Sequence, residues 1–176
     1  MAPVPPRGLE LRSLTPADGD VVRRLVDSVS AETLHRRFQH AVQRAEVDLS
    51  WVGRLAGRDD VAIVACGPGG GAPLGIARAV RHDDGAEIAV MVTDAWQGRR
   101  VGSRLARRLA DELAEQGVTW LSGFVSLDNR AAVALMRRLG ARRVGEIESG
   151  AMEMRVSLRG RNPAGEPAIG RRAAVA

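Results

Sequence analysis

Residues 87–109 read EIAVMVTDAWQGRRVGSRLARRL. A β-branched apolar run passes through a loop holding Gly98 and Gly102 into a helix of about Val101–Gln116. Backbone N–H groups at such a helix start point outward together and can hold an anion. The charges on this helix run against its own dipole. Arg99, Arg100, Arg104, Arg107 and Arg108 crowd its beginning, and Asp111, Glu112 and Glu115 its end. That order costs about 0.3–1 kcal/mol per misplaced exposed charge. The next predicted helix, Asn129–Leu139, does the reverse, with Asp128 at its start and Arg137 and Arg138 at its end. A bound polyanion would turn the first arrangement into attraction. Chance in an arginine-rich chain is the competing explanation.

The segments around this unit alternate between strand and helix periods. Leu9–Leu14 reads as a strand, and Thr15-Pro16-Ala17-Asp18 as a helix start with a capping hydroxyl and proline at the first position. That helix carries Val22, Leu25, Val26 and Val29. Ser30 caps a second through Leu34 and Phe38, and a third is predicted over 45–55. Val61–Ala65, Pro73–His82 and Glu87–Val92 are strands separated by the short turns GPGGGAP and DDG, which predicts an antiparallel meander. After the arginine-rich helix come a strand over Thr119–Val125, the Asn129–Leu139 helix capped by Asp128 and ended by Gly140, and strands near Arg142–Glu148 and Met152–Leu158. This order predicts one α/β layered domain over 9–159. Residues 1–8 are expected to be flexible, and 160–176 a disordered basic tail.

Several function classes fall away on composition and spacing. No apolar run approaches the ~20 residues of a membrane span, and the N-terminus lacks a charged-then-apolar signal pattern, so a cytoplasmic protein is expected. The single cysteine, Cys66, cannot form an internal disulfide and ends an apolar strand, which favours a core role over nucleophilic chemistry. His35, His40 and His82 have no metal-ligand spacing, so no metal is expected. GPGGGA at 67–72 matches a dinucleotide fingerprint formally but leads into a strand instead of a helix. QGRRVGS is no P-loop, because all 26 basic side chains are arginine and the phosphate-binding lysine is missing. A net charge of +5 raises nucleic acid as a partner. Dispersed arginines, interspersed acids and 3% aromatic content argue against it.

From Ala86 to Gly140 the chain resembles the GNAT superfamily of N-acetyltransferases. That family's Q/R-x-x-G-x-G/A loop follows a strand ending in a splayed β-bulge, and reads here Gln97-Gly-Arg-Arg-Val-Gly102. Its Asn-x-x-A…L-Y-x-x-x-G element reads here Asn129-Arg-Ala-Ala-Val-Ala-Leu-Met-Arg-Arg-Leu-Gly140. The runs HRRFQH, DDVAIVAC and AEIAVMVTDAWQGRRVGSRL resemble more narrowly the catalytic domain of bacterial Pat-type protein lysine acetyltransferases. The resemblance implies a mixed, mostly antiparallel sheet of about seven strands flanked by helices. It implies acetyl-CoA as cosubstrate, held by Val90, Met91 and Val92, by Gln97, Gly98, Arg99, Arg100, Val101, Gly102 and Ser103, and by Asn129. It also implies Glu87 as general base. Two positions depart from the pattern. Arg100 replaces the first glycine of the loop motif, and Met136 replaces the tyrosine that often protonates the departing thiolate.

The implied reaction is transfer of an acetyl group to a primary amine, on a protein lysine or a small molecule, by direct attack. Strand alternation puts Glu87, Ala89 and Met91 on one face and Ile88, Val90 and Val92 on the other. A cleft would partly bury Glu87 and raise its carboxyl toward a useful base, while a backbone N–H near Met91 would polarise the carbonyl. The competing reading of Glu87 is a surface acid or a partner for an arginine. The alternative function is a non-catalytic acyl-CoA-binding or regulatory module on the same fold. Acceptor choice in this fold falls to about Leu34–Trp51. There Arg36, Arg37 and Phe38 fit either acceptor contact or a helix face packed on the core, with the second favoured. A homo-oligomer is left open.

Overall fold

A computed structural model describes residues 8–38, 40–57 and 59–160. The flexible N-terminus and the basic tail expected from sequence lie outside the described residues, but for Gly8 and Gly160. The seven strands are β1 (Glu10–Ser13), β2 (Asp60–Cys66), β3 (Pro73–His82), β4 (Gly85–Val92), β5 (Trp120–Ser126), β6 (Arg142–Glu148) and β7 (Ala151–Ser157). They form one sheet in the order β1-β2-β3-β4-β5-β7-β6. The helices are α1 (Gly19–Ser28), α2 (Ala31–Phe38), α3 (Val101–Glu115) and α4 (Arg130–Arg138). No helix among the described residues is long and apolar enough to cross a membrane.

Two apolar layers follow from the period-two pattern of the strands. On one face Ile63, Ala65, Ala77, Ala79 and Ile88 pack against Leu105, Leu109 and Leu113 of α3. On the other, Ala62, Val64, Ile76 and Met91 pack against Leu25 and Val26 of α1 and Leu34 of α2. Glu87 shares the second face, because it stands opposite Val80 and two residues from Ala89 in an antiparallel pairing that runs unbroken from Gly75↔Val92 to His82↔Gly85.

The local signals in the sequence account for most boundaries. The Asp18 carboxylate accepts from the backbone N–H and the hydroxyl of Thr15, both at 2.8 Å, and pairs with Arg12. Those contacts, Arg12 first, hold its carboxyl down at about 2. The opening turn is 3-10 (Pro16–Asp18) before the α-helix begins. GPGGGA forms a hairpin turn, with Gly67 N–H donating to the Ala72 carbonyl. The Glu10 carboxylate accepts from the N–H groups of Gly69 and Gly70 at its tip. The third helix expected over 45–55 is instead two 3-10 segments, Arg44–Glu46 and Ser50–Ala56. Asp48 separates them by accepting from the Ser50 N–H at 2.8 Å and from its hydroxyl at 2.9 Å. This local bond diverts the backbone from a continuous helix. The cap of α4 is Asn129, not Asp128. Asn129 Oδ1 accepts from the Ala132 N–H at 3.1 Å, while Asp128 accepts from the Ser126 hydroxyl.

One pairing departs from the antiparallel pattern. β4 and β5 run parallel and pair only over Gly85↔Trp120, Ala86↔Leu121 and Glu87↔Ser122. Beyond Glu87 the strands part. The short contact is fastened at its base, where Asp84 accepts from the Trp120 indole N–H at 2.9 Å and from the Thr119 hydroxyl at 2.8 Å. The indole lies directly over Gly85, so a Cβ there would sit 1.9 Å from Trp120 Cε2. Gly85→Ala is therefore expected to destabilise the fold by about 1–3 kcal/mol. In a Trp120→Ala background the same substitution should cost almost nothing, a coupling that urea unfolding of the four proteins would measure.

Candidate active site

The gap left by the parting strands opens into a cavity of about 610 Å³. Its walls come from both faces of the sheet. Thr33, Arg36 and Arg37 of α2 approach from the side of Glu87, and the first turn of α3 with Ala132, Leu135 and Met136 of α4 from the other. The spacing 33, 36, 37 is that of one helix face. β4 contributes Glu87 through Val92, and β5 contributes Gly123 through Ser126.

Every residue assigned to the site from sequence lines this cavity except Arg99. Glu87, Val90, Met91, Val92, Gln97, Gly98, Arg100, Val101, Gly102, Ser103 and Asn129 are brought together. Arg99 is instead stacked on Trp96, its guanidinium carbon 5.1 Å from the ring centroid. The Gln97 side chain bridges the loop and α2. Its amide nitrogen donates to Thr33 Oγ1 at 2.9 Å and to the Val92 carbonyl at 3.1 Å. The Asn129 side chain caps α4 through its oxygen, which leaves its NH₂ group as a donor for the cavity.

The expected splayed bulge in β4 is absent, since β3 and β4 pair without a register shift. The opening comes from the loss of β5. Thr93 N–H donates to the Leu74 carbonyl on the β3 side, and backbone groups alternate sides along a strand. Met91 therefore presents its N–H to β3, and Val90 and Val92 present theirs to the gap. The donor expected near Met91 belongs to these two neighbours. Glu87 is exposed at the gap mouth, and the partial burial expected for it is not found.

The loop between β4 and α3 is bent by two left-handed residues, Gly98 at φ +70° and Arg100 at φ +63°. Glycine takes this conformation freely, whereas an L side chain is disfavoured there by about 1–2 kcal/mol. Arg100 thus keeps the backbone that a glycine would supply. Its carbonyl accepts the first helical bond, from the Arg104 N–H at 3.1 Å. The N–H groups of Val101, Gly102 and Ser103 begin the helix without intrahelical acceptors. Gly102 lets the turn pack closely, since a Cβ there would lie 3.1 Å from Leu135 Cδ1.

A polar network that sequence reasoning did not anticipate joins this loop to α2. Asp94 accepts from the Ser30 N–H at 2.9 Å, the Ser30 hydroxyl at 2.6 Å and the Thr33 hydroxyl at 2.9 Å. Chiefly through the Ser30 hydroxyl, these bonds hold its carboxyl below the ordinary carboxylate range. Thr33 in turn accepts from Gln97. Asp94 and Ser30 are 64 positions apart, so local sequence carries no trace of the contact. Met136, where the family pattern has tyrosine, is buried and packs near Gly123. Its thioether has no proton to give. Cys66 is buried, and burial pushes its thiol up, as suits a core residue. No metal-binding group of histidine, cysteine or carboxylates occurs among the described residues.

The model of the acetyltransferase (GNAT) family matches residues 26–141. The chain belongs to that family. It is 36% identical to the acetyltransferase Pat of Mycolicibacterium smegmatis over 136 residues, covering 74% of this chain and 40% of that protein. The crystal structure of the GNAT domain of S. lividans PAT superposes with a TM-score of 0.74 at 23% identity, over 85% of this chain and 90% of that one, a likeness of fold. A cAMP-binding acyltransferase from Mycobacterium smegmatis superposes with a TM-score of 0.59 at 29% identity, over 89% of this chain and 46% of that one. The chain spans less than half the length of the curated relatives it matches.

The left-handed arginine in this GNAT loop has a measurable cost. Arg100→Gly is expected to raise stability by about 0.5–1 kcal/mol, the relief of the αL residue less the entropy of glycine. Arg100→Val should lower it, because a β-branched side chain fits that region worst. Urea midpoints of the three proteins would give both signs.

Proposed function

We propose that the protein transfers the acetyl group of acetyl-CoA to a primary amine, and that the acceptor is a protein lysine or a small amine. The observation that carries this reading is the cavity that crosses the sheet where β4 and β5 part. It has an exposed carboxylate, Glu87, at one end and the start of α3 at the other. The residues present suit the coenzyme. The free N–H groups of Val101, Gly102 and Ser103 and the Arg100 guanidinium are donors for a diphosphate. The edge of β4 offers unpaired backbone groups to an extended amide arm. Likeness to Pat supports a lysine acceptor.

The coenzyme supplies an activated acetyl thioester, and the chain supplies position and proton handling. An amine attacks only when neutral, and a lysine-type ammonium has a pKa of ~10.4. The Glu87 carboxylate takes that proton, directly or through a water. The N–H groups of Val90 and Val92 point into the gap, where they donate to the carbonyl oxygen as it gains charge. The thiolate leaves without a dedicated acid, because a thiol of pKa ~8.5 is already a good leaving group. Methionine at 136 is compatible with that route, and solvent delivers the last proton.

Glu87→Gln keeps the shape of the side chain and removes the base. It is expected to lower kcat by about 10²-fold or more with acetyl-CoA affinity nearly unchanged. Titration calorimetry with acetyl-CoA and a thiol-release assay with amine acceptors would measure the two quantities. Unchanged turnover would remove Glu87 from the mechanism. Acetyl-CoA binding with no thiol release on any amine would mark the protein as an acyl-CoA-binding module.

A further inference from the structure

The α2 side of the cavity holds charges that the reaction itself does not use. Arg36 is paired with Glu32. Arg78, which stands opposite Ala89 on the face shared with Glu87, is paired with Asp60 and stacked 4.5 Å over the Trp51 ring. Arg37 differs from both. It lines the cavity and is half-buried. Its guanidinium carbon lies 5.0 Å from the Phe38 ring centroid. It makes no ion pair among the described residues. Glu87 is close enough to act on it electrostatically, yet forms no salt bridge with it.

A guanidinium withdrawn from water without a counter-ion is costly, and that cost falls when an anion arrives. Burial, with Arg78 adding to it, holds Arg37 below the usual arginine value, and Glu87 offsets this only in part. The diphosphate of the coenzyme is not the natural counter-ion. Its donors lie at the start of α3, which packs on the opposite face of the sheet from α2. The wall shared by Arg37 and Glu87 therefore offers a cation beside an anion, neither of them in a salt bridge among the described residues. That is the complement of a molecule bearing an ammonium and an anion close together.

We infer, on the basis of the acyl-transfer reading above, that the acceptor carries an anionic group beside its amine and that Arg37 binds this group while Glu87 faces the ammonium. The planar fork of an arginine suits a carboxylate or phosphate and gives direction as well as charge. The anion can be the carboxylate of a small amino acid or an acidic side chain flanking a lysine in a polypeptide.

Two matched acceptor pairs separate these sources. One is free lysine against lysinamide. The other is an end-blocked Asp-Lys-Asp peptide against Asn-Lys-Asn. In at least one pair, kcat/KM should be about tenfold or more higher for the anionic member. In Arg37→Gln that ratio should fall close to one, and Arg37→Lys should retain part of it. Acetyl-CoA titration of each variant shows whether the fold and the coenzyme end survive the substitution.

Ratios near one for both pairs in the unaltered protein would overturn the inference and leave acyl transfer standing. So would an unaltered ratio in Arg37→Gln. Failure of the unaltered protein to bind acetyl-CoA would instead overturn the reading on which the inference rests, and the inference with it. Coenzyme binding with no acetylation of any of the four acceptors would count against the inference as well.

Discussion

The three-residue parallel contact between β4 and β5 is the constraint on which the rest of the molecule depends. A sheet that stayed paired along both strands would have no gap, and Val90 and Val92 would spend their backbone groups on a neighbour. Pairing that ends at Glu87↔Ser122 exposes those groups and lets a cavity pass from one face of the sheet to the other. The contact survives at such short length because it is anchored at its base. Trp120 lies over Gly85, and Asp84 holds both the indole and Thr119. β5 is then kept in the sheet by seven antiparallel pairs with β7, so it can leave β4 without coming loose.

The two sides of the cavity are built by different elements and tied by one polar network. α3 brings the helix start, and α2 brings the charged wall with Arg37. Asp94 and Gln97, which belong to the α3 side, bond to Ser30 and Thr33 at the start of α2. These bonds join the loop to the start of α2. The left-handed Arg100 sits in the same loop, so the backbone that starts α3 is held in place partly by packing and partly by these bonds, against the preference of its own residue.

Much of this was legible along the chain. The strand–loop–helix stretch, the hairpin at GPGGGA and the meander of β2 to β4 are local patterns, and local patterns survive folding when the apolar run matches the burial. The same locality explains the misreadings. Asp128 and Asn129 are both good capping residues; in the structure Asn129 caps the helix while Asp128 accepts from Ser126. Residues 45–55 have apolar spacing suited to a helix, yet the side chain of Asp48 competes for the backbone of Ser50 and breaks it. Gln97 lines the cavity as the motif implies, and the sequence could not show that its amide nitrogen also bonds Thr33 and the Val92 carbonyl. For Arg36 and Arg37 the sequence favoured a face packed on the core, whereas both line the cavity, because a helix eight residues long does not reveal which side a distant strand will cover.

The sequence by itself determined the elements, their order and the membership of the loop, since these rest on spacing, turn chemistry and the dipole of a single helix. It also determined that no lysine of this chain takes part in a phosphate grip, because the chain has none. Only the tertiary structure decided where β4 loses its partner, which N–H groups face the gap, and which cavity charges are left without counter-ions. Those properties belong to pairs of residues tens of positions apart. Their energies depend on distance and burial in three dimensions, which no local pattern encodes.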